Sequence, residues 1–548
     1  MSSAELPISD PYAERPSFLK QHSEAVTVAV VFGLTVLLAV LSFPPFHFPS
    51  LAYAMLVPGI FWAYLQPRLK VYAWTMLAAQ AVAWTIILAW LHHVTWLGLF
   101  LLGPLVGVWI GVWYLAAWWV MPRMIGRPVM ARLIAMLGLA AAWALIEWTR
   151  TWLLSGFPWL PLAASQWERA SILQIAAYTG AYGVSFVLVA VNIGFAAYAH
   201  RLFREGDKTG LKKRSQEFFL AVFLLLVCLN VHVQETFNRH RFSVPLGRVA
   251  MVQPYIPQVV KWDPEKANGI LEILEKTTLA AAASKPDLIL WPEASTPWAV
   301  RGDASMKTFV ESLSARAKAP MLVGSIAIEE PGQTAERWFN GAFVVDPRTG
   351  IHPDYYAKRH LVPFGEYVPL RPVLGWLSKF VPIGGDFQRG DKASPLLLTL
   401  QGTPVVIGPL ICYEDIYPRL ARSSSLAGAE LLCVVTNNAW YGEGGAAYQH
   451  AAHSVLRAVE TRRPVLRCGN GGWSGWIDEF GAVRKVVLDN NGGIYFRGAE
   501  TLSVTRDSRW IGRSSFYVDH GDWFVGMCFV LVGFAFVNTK LISRSGVS

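Results

Sequence analysis

Over the first 240 residues, long apolar runs alternate with short polar interruptions. Seven runs are candidate membrane helices, at about 25–43, 50–66, 71–91, 97–121, 130–149, 179–200 and 217–234. Crossing the hydrocarbon of a bilayer as a helix takes about 20 largely apolar residues. An eighth run extends from about Trp523 to Val537. Between the seventh and eighth, over 246–520, charged residues return at ordinary density and no run is long enough to span. The pattern predicts a polar tail at 1–24, a seven-helix bundle at 25–240, a globular domain at 246–510 and a closing helix at 521–540.

The loops of the bundle differ in charge. Arg68 and Lys70 follow the second run, and Arg123, Arg127 and Arg132 follow the fourth. After the sixth come Arg201, Arg204, Lys208, Lys212, Lys213 and Arg214. The alternate loops carry only Arg150 and Arg169, so the count is eleven against two. Cytoplasmic loops are the ones enriched in Lys and Arg. Both termini are therefore expected in the cytoplasm and the globular domain on the opposite face. The first 24 residues are polar, and no small-residue cleavage site follows the first run, so that run is expected to stay as an anchor. Ser155–Leu162 is too apolar for a plain solvent loop and suits the membrane interface or a lipid entrance. Glu147 and Arg150, at the end of the fifth helix, read as an interfacial ion pair.

From Arg248 the period shortens. Val249–Gln253, Leu288–Trp291, Met321–Ile326, Gly341–Val345, Val405–Ile411, Glu430–Thr436 and Val465–Cys468 read as strands. Pro264–Ala283, Thr308–Lys318 and Tyr448–Thr461 read as helices. Alternation of this kind predicts an α/β layered domain.

Composition agrees with the pattern. Hydrophobic residues make up 53% of the 548 and charged residues 16%, against roughly 25% charged in soluble domains. With 24 Trp, 29 Phe and 18 Tyr, a disordered, collagen-like or disulfide-stapled chain is excluded. The net charge of +10 is concentrated in the bundle loops, which points to membrane orientation and away from nucleic acid. Five cysteines show no CxxC spacing. Cys228 and Cys528 sit in apolar runs, whereas Cys412, Cys433 and Cys468 lie in the globular domain.

Three ionisable residues fall at or near element ends, where α/β folds place chemistry. Glu293 follows a strand in Trp-Pro-Glu-Ala-Ser; Lys358 lies in Tyr-Ala-Lys-Arg-His; Cys412 follows Val405–Ile411 and begins Cys-Tyr-Glu-Asp. A cysteine needs a base or a lowered pKa to act as a nucleophile. A glutamate supplies the base, and a lysine ammonium with the Tyr413 backbone N–H supplies an oxyanion site. Spacings of 65 and 54 residues do not by themselves establish the trio. On residue types alone, Lys358 and Glu366 read as a structural ion pair.

In order and local wording these segments resemble the Glu-Lys-Cys signature of the nitrilase (carbon–nitrogen hydrolase) superfamily. With a bundle before the domain and one helix after it, the chain resembles the bacterial apolipoprotein N-acyltransferases. Val252–Trp262, His360–Pro369, Thr436–Gly442 and Gly156–Trp159 carry the likeness. The resemblance implies a nitrilase-like αββα sandwich inserted in a bundle of about eight transmembrane helices. It further implies Glu293 as general base, Lys358 as oxyanion stabiliser and Cys412 as the nucleophile that becomes an acyl thioester. Glu366 matches a second glutamate that positions the lysine, Tyr413 and Glu414 match residues beside the nucleophile, and Trp262 an aromatic at the lipid-facing entrance. The implied reaction moves an acyl chain from a phospholipid to the α-amine of a diacylglyceryl-cysteine on a lipoprotein, in the bacterial inner membrane, without metal or organic cofactor. The chain departs from the family pattern at Cys468–Asp478 and at Asn438, where Asp is usual.

Competing readings rest on single features. Gly469–Gly475 lacks the register and the Lys-Ser/Thr ending of a phosphate loop. His450 and His453 share a helical face but lack a third metal ligand, and read as packing or solvated residues. Cys433 and Cys468 read as buried and inert, with a disulfide between them left open. The altered segment after Cys468 motivates an alternative, a membrane-anchored amidase or an acyltransferase with another acceptor. A non-enzymatic scaffold is disfavoured by the intact trio.

Overall fold

The structure is a computed structural model that describes residues 23–46, 48–204, 214–368 and 387–545. Most of the expected polar tail, together with Lys208, Lys212, Lys213 and Pro369, lies outside the described residues.

The membrane half comprises α1 (Ser23–Leu41), α2 (Val57–Tyr64), α3 (Leu69–Ile87), α4 (Trp96–Gly111), α5 (Trp113–Val120), α6 (Val129–Thr149), α7 (Ala181–Arg204) and α8 (Gln216–Thr236). Among the described residues six helical stretches are long and apolar enough to cross a membrane: Ser23–Leu41, Trp96–Met124, Val129–Thr149, Ala181–Arg204, Gln216–Phe242 and Trp523–Leu541. The remaining two apolar runs differ in kind. The 71–91 run forms α3, which carries Lys70 and a buried Gln80. The 50–66 run is broken into a 3₁₀ turn, Pro49–Tyr53, and the short α2.

A break at membrane depth must satisfy its backbone from within the protein. Asn192, on α7, the most buried of those six stretches, does this: its Nδ2 donates to Ala52 O at 2.8 Å and its Oδ1 accepts from Leu56 N at 2.8 Å. Helix α4 lies close against α3 through small residues; a Cβ on Gly107 would fall 2.3 Å from Gln80 O. At one end of the bundle Arg132, opening α6, and Arg201, closing α7, both meet Glu217 at the start of α8, at 3.4 and 3.8 Å.

Among the described residues the globular domain is built on two six-stranded sheets, whose strands are β1 (Ser243–Gln253), β2 (Leu288–Leu290), β3 (Met321–Glu329), β4 (Arg337–Asp346), β5 (Gly350–Ala357), β6 (Leu396–Leu400), β7 (Thr403–Ile411), β8 (Leu431–Asn437), β9 (Val465–Asn470), β10 (Gly475–Ile477), β11 (Val483–Val486) and β12 (Gly498–Asp507). The sheet orders are β12-β1-β2-β3-β4-β5 and β11-β10-β9-β8-β7-β6. In each sheet the central strands, β1-β2-β3 and β7-β8-β9, run parallel. Those strands are apolar on both faces. One face meets the other sheet in a core containing Met251, Leu290, Ile411, Cys433 and Cys468.

The opposite face of the first sheet is covered by α9 (Ala267–Ala282) and α10 (Ala304–Ala317) through Ile270, Leu274, Val310 and Leu313. The second is covered by α11 (Pro418–Leu426) and α12 (Ala446–Thr461), whose packing merges with the core of the bundle. The result is the αββα sandwich expected above. Helix α13 (Trp523–Ser545) returns to pack on α6, where a Cβ on Gly138 would meet Ala535.

Candidate active site

The site gathers at the carboxyl ends of the parallel strands of both sheets. Glu293 lies two residues beyond the Trp291 that follows β2, and β3 leaves room for that turn because it carries Gly324; a Cβ there would lie 2.3 Å from Pro292 O. Asn340 is on β4, Lys358 follows β5, Cys412 follows β7, and Asn437 and Asn470 end β8 and β9.

Lys358 Nζ donates to Glu293 Oε1 at 3.1 Å and to Glu366 Oε1 at 2.9 Å. Asn340 Nδ2 bridges the same two oxygens at 2.8 and 3.0 Å. The second oxygen of Glu293 accepts from Asn437 N at 3.0 Å, and that of Glu366 from Val362 N at 2.9 Å. Lys261 Nζ donates to the backbone carbonyl of Glu293 at 3.1 Å. Burial alone would raise the Glu293 carboxyl, but Lys358 and then Lys261 hold it below the usual carboxylate range. Burial likewise works against the Lys358 ammonium, and Glu293 and Glu366 override it, so the amine is held above its ordinary value. Burial, and then Glu293, push the Cys412 thiol up to about 12. At neutral pH the cluster therefore holds a thiol beside an ionised carboxylate and a fixed ammonium, and the carboxylate is the group able to take the sulfur's proton.

Cys412 sits at φ +50°, a left-handed conformation that is costly for a residue with a side chain. Its neighbours hold it there. Glu414 Oε2 accepts from Ile411 N at 2.8 Å and from Tyr356 Oη at 2.7 Å, while Oε1 accepts from Arg359 N at 2.6 Å and His360 N at 3.1 Å. One buried carboxylate thus ties the strand end before Cys412 to the segment that carries Lys358. On the other side His450 Nε2 lies 3.1 Å from Cys412 O and 2.8 Å from Asp415 Oδ1. Asp415 is held in turn by Arg467 at 2.6 Å and Ser454 at 2.6 Å.

The bundle reaches the same spot. Tyr413 and Tyr417 both donate to Gly156 O, at 3.2 and 2.9 Å. The Gln449 amide is fully used across the junction: Oε1 accepts from Trp90 and Trp159 at 3.0 and 2.9 Å, and Nε2 donates to Pro44 O and Ile87 O at 2.9 Å each. His453 Nε2 accepts from Leu160 N at 3.1 Å. Glu147 and Arg150 are buried and clamp this loop from below. Glu147 accepts from Leu162 N at 2.6 Å, and Arg150 donates to Trp159 O at 2.5 Å. Glu147 also accepts from Trp143 Nε1 at 2.8 Å; no salt bridge between Glu147 and Arg150 is among the described contacts, so the expected interfacial pair is instead two buried groups bonded to the loop and to α6.

The structure therefore brings Glu293, Lys358 and Glu366 into direct contact, sets Cys412 in their field, and puts Glu414 and Tyr413 at the turn that bears Cys412. No hydrogen bond or ring contact between Trp262 and the trio is among the described contacts; it is 46% exposed, with its ring 5.9 Å from Lys261 Nζ. Sequence reasoning missed Lys261, Asn340, Asn437 and Gln449, although Lys261 and Asn437 lie inside quoted motifs. The five cysteines are free, so Cys433 and Cys468 form no disulfide. The two histidines pack, and among the described residues no group of three His, Cys, Asp or Glu side chains forms a metal site. The unusual segment after Cys468 is a buttress. Asn470 exchanges two hydrogen bonds with the Ile256 backbone, at 2.8 and 2.9 Å, and donates to Asn437 Oδ1 at 2.9 Å.

Comparison with known proteins matches residues 248–519 to the carbon–nitrogen hydrolase family model and 35–194 to the apolipoprotein N-acyltransferase N-terminal domain. An apolipoprotein N-acyltransferase from Geobacter metallireducens is 34% identical over 418 residues, covering 74% of each chain. The chain belongs to the apolipoprotein N-acyltransferase family. One from Methylococcus capsulatus is 34% identical over 409 residues, covering 73% of each. An amidase of solved structure from Nesterenkonia sp. AN1 aligns over 48% of this chain and 94% of its own at 15% identity, with a TM-score of 0.33. In this member of the apolipoprotein N-acyltransferase family, the bonds at Gly156 and Gln449 are made between the two regions that the family models match separately.

Proposed function

We propose that the protein transfers a fatty acyl chain from a phospholipid, through a thioester on Cys412, to the α-amine of an N-terminal diacylglyceryl-cysteine on lipoproteins. The observation that carries this reading is the Glu293–Lys358–Glu366 cluster, with Glu293 and Lys358 buried, beside a cysteine held at φ +50°.

In the first half-reaction Glu293 takes the Cys412 proton and the sulfur attacks the ester carbonyl. The Lys358 ammonium and the Tyr413 backbone N–H stabilise the oxyanion. Collapse breaks the ester C–O bond, and protonated Glu293 returns its proton to the leaving lysophospholipid alkoxide. In the second half the acceptor amine attacks the thioester, Glu293 takes the amine proton, and the C–S bond breaks to restore the thiol and form an amide. Glu366 and Asn340 orient the lysine, and Glu414 and Tyr413 the nucleophile. Trp262, exposed near Lys261, suits an apolar substrate at the entrance.

Both substrates carry acyl chains that are costly to expose to water, which suits a catalytic domain fastened to a bundle. Hydrolysis of the thioester would waste the acyl group, and Cys412 is only 4% exposed. The charge of the loops supports a protein of the bacterial inner membrane with both termini in the cytoplasm and residues 246–510 on the outer face.

The test is intact-mass analysis after incubation with phospholipid, then with a diacylated lipopeptide. Expected are a gain of one acyl group, absent in Cys412→Ala, and its passage to the peptide amine. A wild-type protein that gains no acyl group, or passes it only to water, overturns the reading.

A further inference from the structure

We propose that Lys261 is a positioning residue for this chemistry: it anchors the main chain of Glu293 and supplies the second positive charge the cluster needs while a proton sits on that glutamate. The inference rests on the acyl-transfer reading above.

Lys261 is 2% exposed. Burying an ammonium costs several kcal/mol unless its surroundings compensate. Its one described hydrogen-bond acceptor is a neutral carbonyl, that of Glu293. Among the described contacts no carboxylate is bonded to it; the Glu293 carboxylate, whose field reaches it, is bonded to Lys358. The charged or ionisable groups whose fields act on it are Glu293 and Cys412, and the Trp262 ring lies beside it.

Its own segment is firmly held. Asn470 binds the Ile256 backbone, and Gln258 Oε1 accepts from Asn437 Nδ2 at 2.8 Å. Asn437 is the residue whose N–H binds Glu293 Oε2. Lys261 and Asn437 thus grip the general base from its main chain and its carboxylate respectively, and Gln258 fastens Asn437 to the segment that carries Lys261.

The charge count explains why a lysine stands here. At rest two carboxylates, Glu293 and Glu366, face two ammoniums. When the thiol proton moves to Glu293, the anions become Glu366 and the sulfur, and then Glu366 and the substrate oxyanion. Lys358 remains bonded to Glu366 at 2.9 Å. Without Lys261 one cation would face two anions throughout, and the thiolate and the oxyanion would both be disfavoured. Burial lowers the Lys261 amine to about 8, so the second charge is present at neutral pH and lost above that point.

The experiment follows single-turnover acylation of Cys412 in the full-length, detergent-solubilised protein, with phosphatidylethanolamine as donor and intact mass as readout, from pH 3 to 10. In the wild type the rate should fall above about 8. Lys261→Arg, whose charge persists, should move that fall upward by more than about one pH unit. Lys261→Met should be slower by about 30-fold at pH 7 and should shift the acid limb upward, because Glu293 loses a cation that holds its pKa down. The positions of the limbs decide, since they do not depend on how much of a variant is folded. Limbs that coincide in all three proteins overturn the inference, whatever the absolute rates. A wild type that acquires no acyl group overturns the functional reading beneath it.

Discussion

Replacing Glu414 by Gln tests how Cys412, the proposed nucleophile, is held, because it keeps size and removes only charge and one acceptor. The carboxylate accepts from Arg359 N, His360 N, Tyr356 Oη and Ile411 N. An amide oxygen can serve two of these, and the NH2 must face the other two. Facing Arg359 and His360, it would orphan two backbone N–H groups. Facing Tyr356 and Ile411, it would orphan one, since the Tyr356 hydroxyl can turn and accept. The second arrangement is the cheaper. One buried orphan N–H costs about 1–3 kcal/mol, and losing charge assistance on the remaining bonds adds about 1 more, so the total is about 2–4 kcal/mol. The orphan belongs to Ile411, next to the residue at φ +50°, so most of the loss should fall on the geometry of Cys412. Single-turnover acylation by phospholipid should slow by about 30- to 1000-fold at saturating donor, with a smaller loss of thermal stability. A Glu414→Gln protein that is folded and acylates within about threefold of the wild type would refute the idea that this carboxylate holds the turn.

Three further outcomes follow from the same geometry. Gln449→Leu leaves two indole N–H groups and two carbonyls without their partner, so a loss of about 3–5 kcal/mol is expected. It should appear as a lower unfolding temperature in detergent, and an unchanged melt would show that the junction relaxes. Because burial and Glu293 raise the Cys412 thiol to about 12, its alkylation by iodoacetamide should quicken about tenfold per pH unit from 7 to 10. Peptide mapping reads this site by site. Glu293→Gln removes one cause of that rise and should speed alkylation at pH 9 while abolishing acyl transfer; slower alkylation would contradict the assigned electrostatics.

The parts of the fold that proved legible were those with a strong period. The seven strands read from the sequence correspond to β1, β2, β3, β4, β7, β8 and β9, because they are apolar over most of their length. Missed were β5, with its His-Pro-Asp, β6, the short β10 and β11, and β12. These lie towards or at sheet edges, where one face is solvated and the apolar signal is diluted. The 50–66 run misled in the opposite direction. It is apolar enough to suggest one helix, but Asn192, 136 residues beyond Leu56, supplies the bonds that allow it to break. In the site, Glu293, Lys358 and Cys412 were reached through their motifs. Lys261 and Asn340 were not, because their roles exist only once β4 and the Gln258–Trp262 segment meet over Glu293. The Glu147–Arg150 spacing suggested a pair, and the loop backbone competed successfully for both side chains.

The catalytic domain and the bundle share more than attachment. A soluble domain with a membrane anchor needs one flexible tether, and its active site should be indifferent to the helices. Here the two tyrosines flanking Cys412 on its helical side both donate to one carbonyl, Gly156 O, in a loop between α6 and α7. The helix whose His450 lies against the Cys412 carbonyl also presents Gln449 to Trp90 and Trp159. Any shift of those loops is transmitted to Cys412 through bonds made by the same or adjacent residues. It follows that a globular domain cut free at residue 246 would lose two donors' acceptor at Tyr413 and Tyr417 and four partners at Gln449. Even toward a small soluble ester, which needs no bilayer, such a fragment should therefore be a poorer catalyst than the intact chain.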